Sequence, residues 1–199
     1  MKVVKVILLV IVSLVVLAAV IGMFMPSKFA MDRSITINAD QKIIFDQVNN
    51  LKNWEQWSPW QKMDPETKLT YDGPAEGVGA SYSWVSSKNG EGTLTISESI
   101  PYESVTTEMD FKENGKGMAG FKIAKAEGGN TLTWWFDSDM GANPFKKLMM
   151  GMMGKSFMNN VFDQGLNDIK KIAEATPAPA AEPIPAATDT LAPADTTAK

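Results

Sequence analysis

An α+β domain is what the sequence predicts: a curved antiparallel sheet wrapped on a long C-terminal helix, behind an N-terminal transmembrane helix. Three observations predict it. Alternating apolar segments are separated by Asn89-Gly90, Asn114-Gly115 and Gly128-Gly129-Asn130. These turns accept positive φ at little steric cost, so strands joined this tightly must run antiparallel. A helical stripe through Phe145, Leu148, Met152, Val161, Phe162, Leu166, Ile169 and Ile172 follows the last strand. Twenty uncharged residues, 6–25, precede everything else.

Taken in order, residues 6–25 would rise about 30 Å as a helix, the thickness of a hydrocarbon core. Lys2 and Lys5 precede them, and Ile21-Gly22-Met23-Phe24-Met25 offers no small-x-small cleavage site. An uncleaved anchor is the expectation, with a cleaved signal peptide as the alternative. The charge bias is slight, with Lys28 and Arg33 on the far side. It favours a cytoplasmic amino terminus in the inner membrane, with the domain outside. Residues 1–30 are thus read as anchor and linker, and residues 31–175 as the folded domain.

Arg33-Ser-Ile-Thr-Ile-Asn38 alternates as a first strand, and Asp40 can cap a helix carrying Ile44, Phe45, Val48 and Leu51. Trp54, Trp57 and Trp60 follow at three-residue spacing, then a polar stretch to Gly73-Pro74. Five or six meander strands come next, around Tyr82-Ser-Trp84, Leu94-Thr-Ile96, residues 105–109, Phe121-Lys-Ile123 and residues 132–136. Asn143-Pro144 starts the final helix, which Gly151 and Gly154 should break or kink near residues 150–155. Residues 176–199, rich in Pro, Ala and Thr, cannot offset the entropy of ordering and are read as a disordered tail.

Composition narrows the function. Without Cys or His the chain has no disulfide, thiol nucleophile, Cys/His zinc site or His-based catalytic pair. From residue 31 onward 16 basic residues face 23 acidic ones, a net of −7, so nucleic acid is not an expected partner. Asp137, Asp139 and Asn143 lack the ligand spacing of a calcium loop and read as a solvated turn and helix cap. No metal and no cofactor is expected.

Between about Arg33 and Glu174 the chain resembles the START/Bet v 1-like (SRPBCC) superfamily, and its bacterial polyketide cyclase/dehydrase-type branch. The text that carries this is Arg33-Ser-Ile-Thr-Ile, Trp54-Glu-Gln-Trp57-Ser-Pro-Trp60, Gly77-Val-Gly79-Ala, Gly92-Thr-Leu-Thr-Ile96, Leu132-Thr-Trp134 and Gly165-Leu-Asn-Asp-Ile169. The Trp-rich piece is fairly specific, and the others persuade only in this order. The resemblance implies a helix-grip fold with an apolar cavity between sheet and final helix, holding a lipid or other hydrophobic small molecule. It does not imply cyclase activity.

Strand register then nominates the cavity lining: Tyr82, Trp84, Ile96, Glu98, Met109, Trp134 and Phe136, with Met152 and Phe162 from the helix. Glu98 falls in the apolar register of its strand, so it is expected on the concave face, with a solvated rim position as the alternative. Trp54, Trp57 and Trp60, with Met149, Met153 and Met158, are candidates for a mobile gate, since Met adapts to varied apolar surfaces. No acid/base pair has a spacing that ties it together. The expected function is a membrane-anchored, non-catalytic binder of a hydrophobic small molecule or lipid. A cyclase/dehydrase-type enzyme and an envelope protein-interaction module with a filled cavity are the alternatives.

Overall fold

The computed structural model describes residues 2–177. Helix α1 (Lys2–Phe24) is long and apolar enough to cross a membrane. Only Met25, Pro26 and Ser27 separate it from β1 (Lys28–Ile37). That strand starts before the Arg33 segment because its partner runs equally far, pairing Lys28 with Asp139. Phe29 and Met31 are consequently core residues.

Helix α2 (Gln41–Asn49) begins as the sequence predicts, with the Asp40 carboxylate accepting from the Lys42 amide at 2.7 Å. It buries Ile43, Ile44, Phe45 and Val48. A 3₁₀ turn (Leu51–Asn53) and two short helices, α3 (Trp54–Trp57) and α4 (Pro59–Met63), complete the crossing to the sheet.

Six strands then form an uninterrupted meander: β2 (Lys68–Asp72), β3 (Ser81–Ser86), β4 (Gly90–Ile100), β5 (Ser104–Asp110), β6 (Lys116–Ala126) and β7 (Gly129–Asp139). The order is β1-β7-β6-β5-β4-β3-β2, and every neighbouring pair is antiparallel. The turn at Asn89-Gly90 reverses the chain with Gly90 at φ +69°. β2 is the strand that the polar stretch before Gly73 conceals, its alternation resting on Leu69 and Tyr71 alone.

Helix α5 (Pro144–Met149) is capped by Asn143, whose side-chain oxygen accepts from the Phe145 and Lys146 amides. The break expected near residues 150–155 is a π-helical turn (Met150–Gly154), after which α6 (Lys155–Ala175) continues. One hydrophobic core joins α2, α3, α6 and the concave face of the sheet, with Ile37, Val48, Leu132, Leu166 and Ile169 among its fully buried members. Arg33 clamps the helix to the sheet, each of two guanidinium nitrogens donating to an Asp163 oxygen at 2.7 Å. The hydrogen-bonded carboxylate holds the guanidinium pKa up. The Pro-rich stretch from residue 178 on lies outside the described residues.

Candidate ligand cavity

The concave face is filled at one end and open at the other. At the filled end, Trp134 stacks on Phe162 with ring centres 4.0 Å apart, and on Phe121 at 5.1 Å. Trp57 meets both Trp134 and Phe121 edge-on. Such contacts add to the burial of these large side chains. Gly165 makes the close approach feasible, since a Cβ there would lie 2.7 Å from the Trp134 ring.

Towards the π-turn the helix stands off, leaving a cavity of about 340 Å³. This is near the low end for small-molecule sites. Tyr82, Trp84, Met109, Phe111 and Phe136 line it from the sheet, and Trp54 and Trp60 from α3 and α4. Met150, Met158 and Phe162 close the helix side. Glu91 and Lys146 are its only charged lining residues among the described ones, and the Lys146 ammonium donates to the Asn114 carbonyl. Tyr82 is surrounded by protein yet faces the cavity; burial alone pushes its hydroxyl pKa up. Tyr71 lies beside it, ring centres 5.9 Å apart, and its hydroxyl donates to Glu55 at 2.7 Å.

The nominated residues divide. Tyr82, Trp84, Met109, Trp134, Phe136 and Phe162 face the cavity, as do Trp54, Trp60 and Met158. Ile96 does not; it is fully buried core beneath the lining. Glu98 is exposed and takes its alternative, solvated position. The cause is a bulge in β4: Ile96 pairs with Thr107 but Glu98 with Thr106, so Ser97 is supernumerary and the inward register stops at Ile96. Beyond it, Glu98 accepts weakly from the Thr106 hydroxyl.

Trp57 is also no gate residue. It is fully buried, and its indole N–H donates to the Gln47 carbonyl. Trp54 is similarly held through the Val48 carbonyl. Met149 points to the exterior, and the side chains of Met152 and Met153 lie outside the described residues. The α4 end of the mouth is pinned as well. The Asp64 carboxylate accepts from the Ser86 hydroxyl at 2.6 Å, and Asn89 donates to the Trp60 carbonyl. The Ser86 bond is the main reason that the Asp64 pKa is lowered.

Sequence reasoning missed Phe29, Leu69, Tyr71, Phe111, Met140 and Met150 in the lining. Leu69 and Tyr71 carried a signal, a short alternation. Phe111 sits just past a strand end and Met150 in the π-turn, where neither period applies.

Residues 28–174 match the family model described as polyketide cyclase / dehydrase and lipid transport. The chain belongs to this family. With it comes membership of the START/Bet v 1-like superfamily, whose helix-grip architecture the sheet and final helix reproduce. Among curated proteins none matches the chain. Solved structures share its fold at low identity. The Aha1 dimer from Colwellia psychrerythraea is 15% identical over 74% of this chain and 97% of its own, with a TM-score of 0.54. The di-domain ARO/CYC StfQ from the steffimycin biosynthetic pathway is 8% identical over 74% of this chain, TM-score 0.55. The match takes in 51% of StfQ. A protein from Chromobacterium violaceum is 13% identical over 76% of this chain and all of its own, TM-score 0.52.

Proposed function

We propose that this chain is a membrane-anchored, non-catalytic binder of a hydrophobic small molecule or lipid. Residues 1–30 are its anchor in the inner membrane and residues 31–175 its binding domain on the extracytoplasmic side. The observation that carries the reading is the cavity, an aromatic and Met-lined space beside a core that is otherwise tightly stacked. Apolar burial supplies affinity there, at about 25 cal/mol per Å² removed from water. The Tyr82 hydroxyl, at the cavity wall, supplies a polar anchor.

A non-catalytic role is supported by the charges around the cavity. Glu91 and Lys146 belong to different elements, β4 and α5, and the Lys146 ammonium is engaged by the Asn114 carbonyl. General acid/base catalysis needs a titratable side chain positioned within hydrogen-bond reach of the proton it moves.

Native mass spectrometry of the full chain, released from a non-ionic detergent, tests the reading. A one-to-one apolar adduct is expected, identified by solvent extraction. Met109→Trp, which places an indole in the cavity, should abolish it. An adduct that survives Met109→Trp would place the ligand elsewhere. A chain that stays empty after exposure to total membrane lipid would refute binding.

A further inference from the structure

The outer surface of the π-turn region is not used by the cavity, and it differs from the rest of the domain in both hydrophobicity and charge. Phe145 is 48% exposed, Met149 61% and Phe157 51%. Phe145 and Met149 stand one turn apart on the same side of α5. Phe157 lies just beyond the π-turn, against the ring of Trp60. Elsewhere in the domain the large exposed apolar residues, such as Val78, Val85 and Met118, are scattered over separate strands and turns.

Charge marks the same stretch. Residues 140–162 contain Lys146, Lys147 and Lys155 and not one Asp or Glu. The remainder of the chain from residue 31 has 13 basic and 23 acidic residues, a net of −10. An acidic body with one basic, apolar face is repelled by an anionic surface in every orientation but one.

The fold places that face beside α1. Gly22 is buried against the Pro144 carbonyl with no room for a Cβ, so the end of α1 rests directly on the start of α5. The Met25 side chain reaches Gly151 in the π-turn. The three-residue connector is held down too, the Met140 amide donating to the Ser27 carbonyl at 2.7 Å. Phe24, at the foot of α1, is 87% exposed.

We propose that α5, the π-turn and the first turn of α6 form a docking face for the headgroup layer of an anionic phospholipid bilayer. The proposal rests on the reading of α1 as a membrane anchor. Phe145, Met149 and Phe157 enter the boundary between headgroups and acyl chains, while exposed Lys155 and half-buried Lys146 meet lipid phosphates. Lys147 is buried and contributes its charge from behind the face. Since Lys146, Met150 and Met158 also line the cavity, its rim then lies against the bilayer. The cavity therefore exchanges ligand with the membrane rather than with bulk water.

The absence of cysteine makes the test direct, because any introduced cysteine is the only one in the chain. Single variants Phe145→Cys, Met149→Cys and Phe157→Cys of the full chain are labelled with a nitroxide and placed in nanodiscs. Collision rates with oxygen, which prefers lipid, are compared with those of a water-soluble nickel chelate. Val12→Cys in α1 and Val85→Cys on β3 give the two references. In discs containing phosphatidylglycerol, the three sites should shift from the Val85 value towards that of Val12. In discs of phosphatidylcholine alone they should return towards Val85. Three sites that match Val85 while Val12 reads as lipid would overturn the docking face and leave the anchor standing. A Val12 label that reads as water would overturn the anchor and the face together. Equal immersion in both disc types would overturn the anionic partner. Spin–spin broadening between labels on separate chains would assign the face to a second copy instead.

Discussion

The two ends of the concave face share one sheet and one helix yet differ in almost every physical respect. At the filled end, α6 is a regular helix whose Val161, Phe162, Leu166 and Ile169 reach the sheet on the stacked rings of Trp134 and Phe121. At the open end the chain takes a π-turn, and wide side chains line space instead of filling it. Aromatic richness therefore does not separate core from cavity in this protein, since both ends are aromatic. Helix regularity separates them. Beyond Phe162 the inward residues Leu166 and Ile169 are fully buried in the core, whereas the widened turn and the first turn after it border the cavity with Met150 and Met158.

Four perturbations would break or sharpen that contrast. Trp134→Ala should cost the most, about 3–5 kcal/mol, because it opens a void between Phe162, Phe121 and Trp57 that rigid neighbours cannot close. Denaturant unfolding of the solubilised chain measures it. Trp84→Ala, of identical chemistry but at the open end, should cost only roughly 1–2 kcal/mol, since its ring already borders space. Comparable losses for the two would erase the distinction between the ends.

The third perturbation is pH. The Asp64 carboxylate ties α4 to the β3–β4 hairpin and has a pKa below its ordinary 3.8. A lowered native pKa means that the folded state binds its proton less readily than the unfolded one. The stabilisation is thus complete above about pH 4 and is lost as pH falls through the native value. Thermal melts from pH 6 downwards should show this loss, and Asp64→Asn should flatten it. A variant with the same acid profile would place the acid sensitivity elsewhere.

The smallest effect concerns the π-turn. Gly154 has a helical backbone, φ −62°, and a Cβ there would lie 3.1 Å from the Met150 sulfur, the yielding part of a flexible side chain. Gly154→Ala should therefore add up to about 1 kcal/mol of stability. Hydrogen exchange should be faster over residues 145–158 than over residues 162–172, and Gly154→Ala should narrow that gap. Uniform protection along the helix in the unmodified chain would show that the open end is as rigid as the filled one. Gly151 is the less suitable position, because a methyl there would have to displace Met25.

These residues also show what could be read without coordinates. Asn89-Gly90 and its counterparts state the strand connections outright, because few other residues accept those backbone angles, and the antiparallel strands β3 to β7 follow, while β2 stays concealed. The inward set of Tyr82, Trp84, Trp134 and Phe136 follows from the two-residue period. What the period cannot say is whether the opposite layer touches the side chains it turns inward. Trp134 and Trp84 look alike in sequence and both border the cavity, and only the helix above them makes Trp134 a buried ring stacked on Phe162 and leaves Trp84 half-buried. Gly151 and Gly154 announced a break without its form. Trp57 was misplaced because its buried indole N–H finds a carbonyl ten residues back, a partner that spacing does not reveal. Glu98 was nominated on an alternation that one unpaired residue interrupts.

That unpaired residue makes β4 tolerant in one direction only. Removing Ser97 would leave Ile96 facing Thr107 and Glu98 facing Thr106, the pairs already present, in a strand now one-to-one with β5. Every side chain would keep its face, and only the local bend would relax. Adding a residue to β5 between Thr106 and Thr107 would restore the one-to-one count the other way. It would carry Glu98 inward and turn Val105, now fully buried, to the solvent. The same length difference thus reads as silent when the chain is shortened and as a charged intrusion when its partner is lengthened.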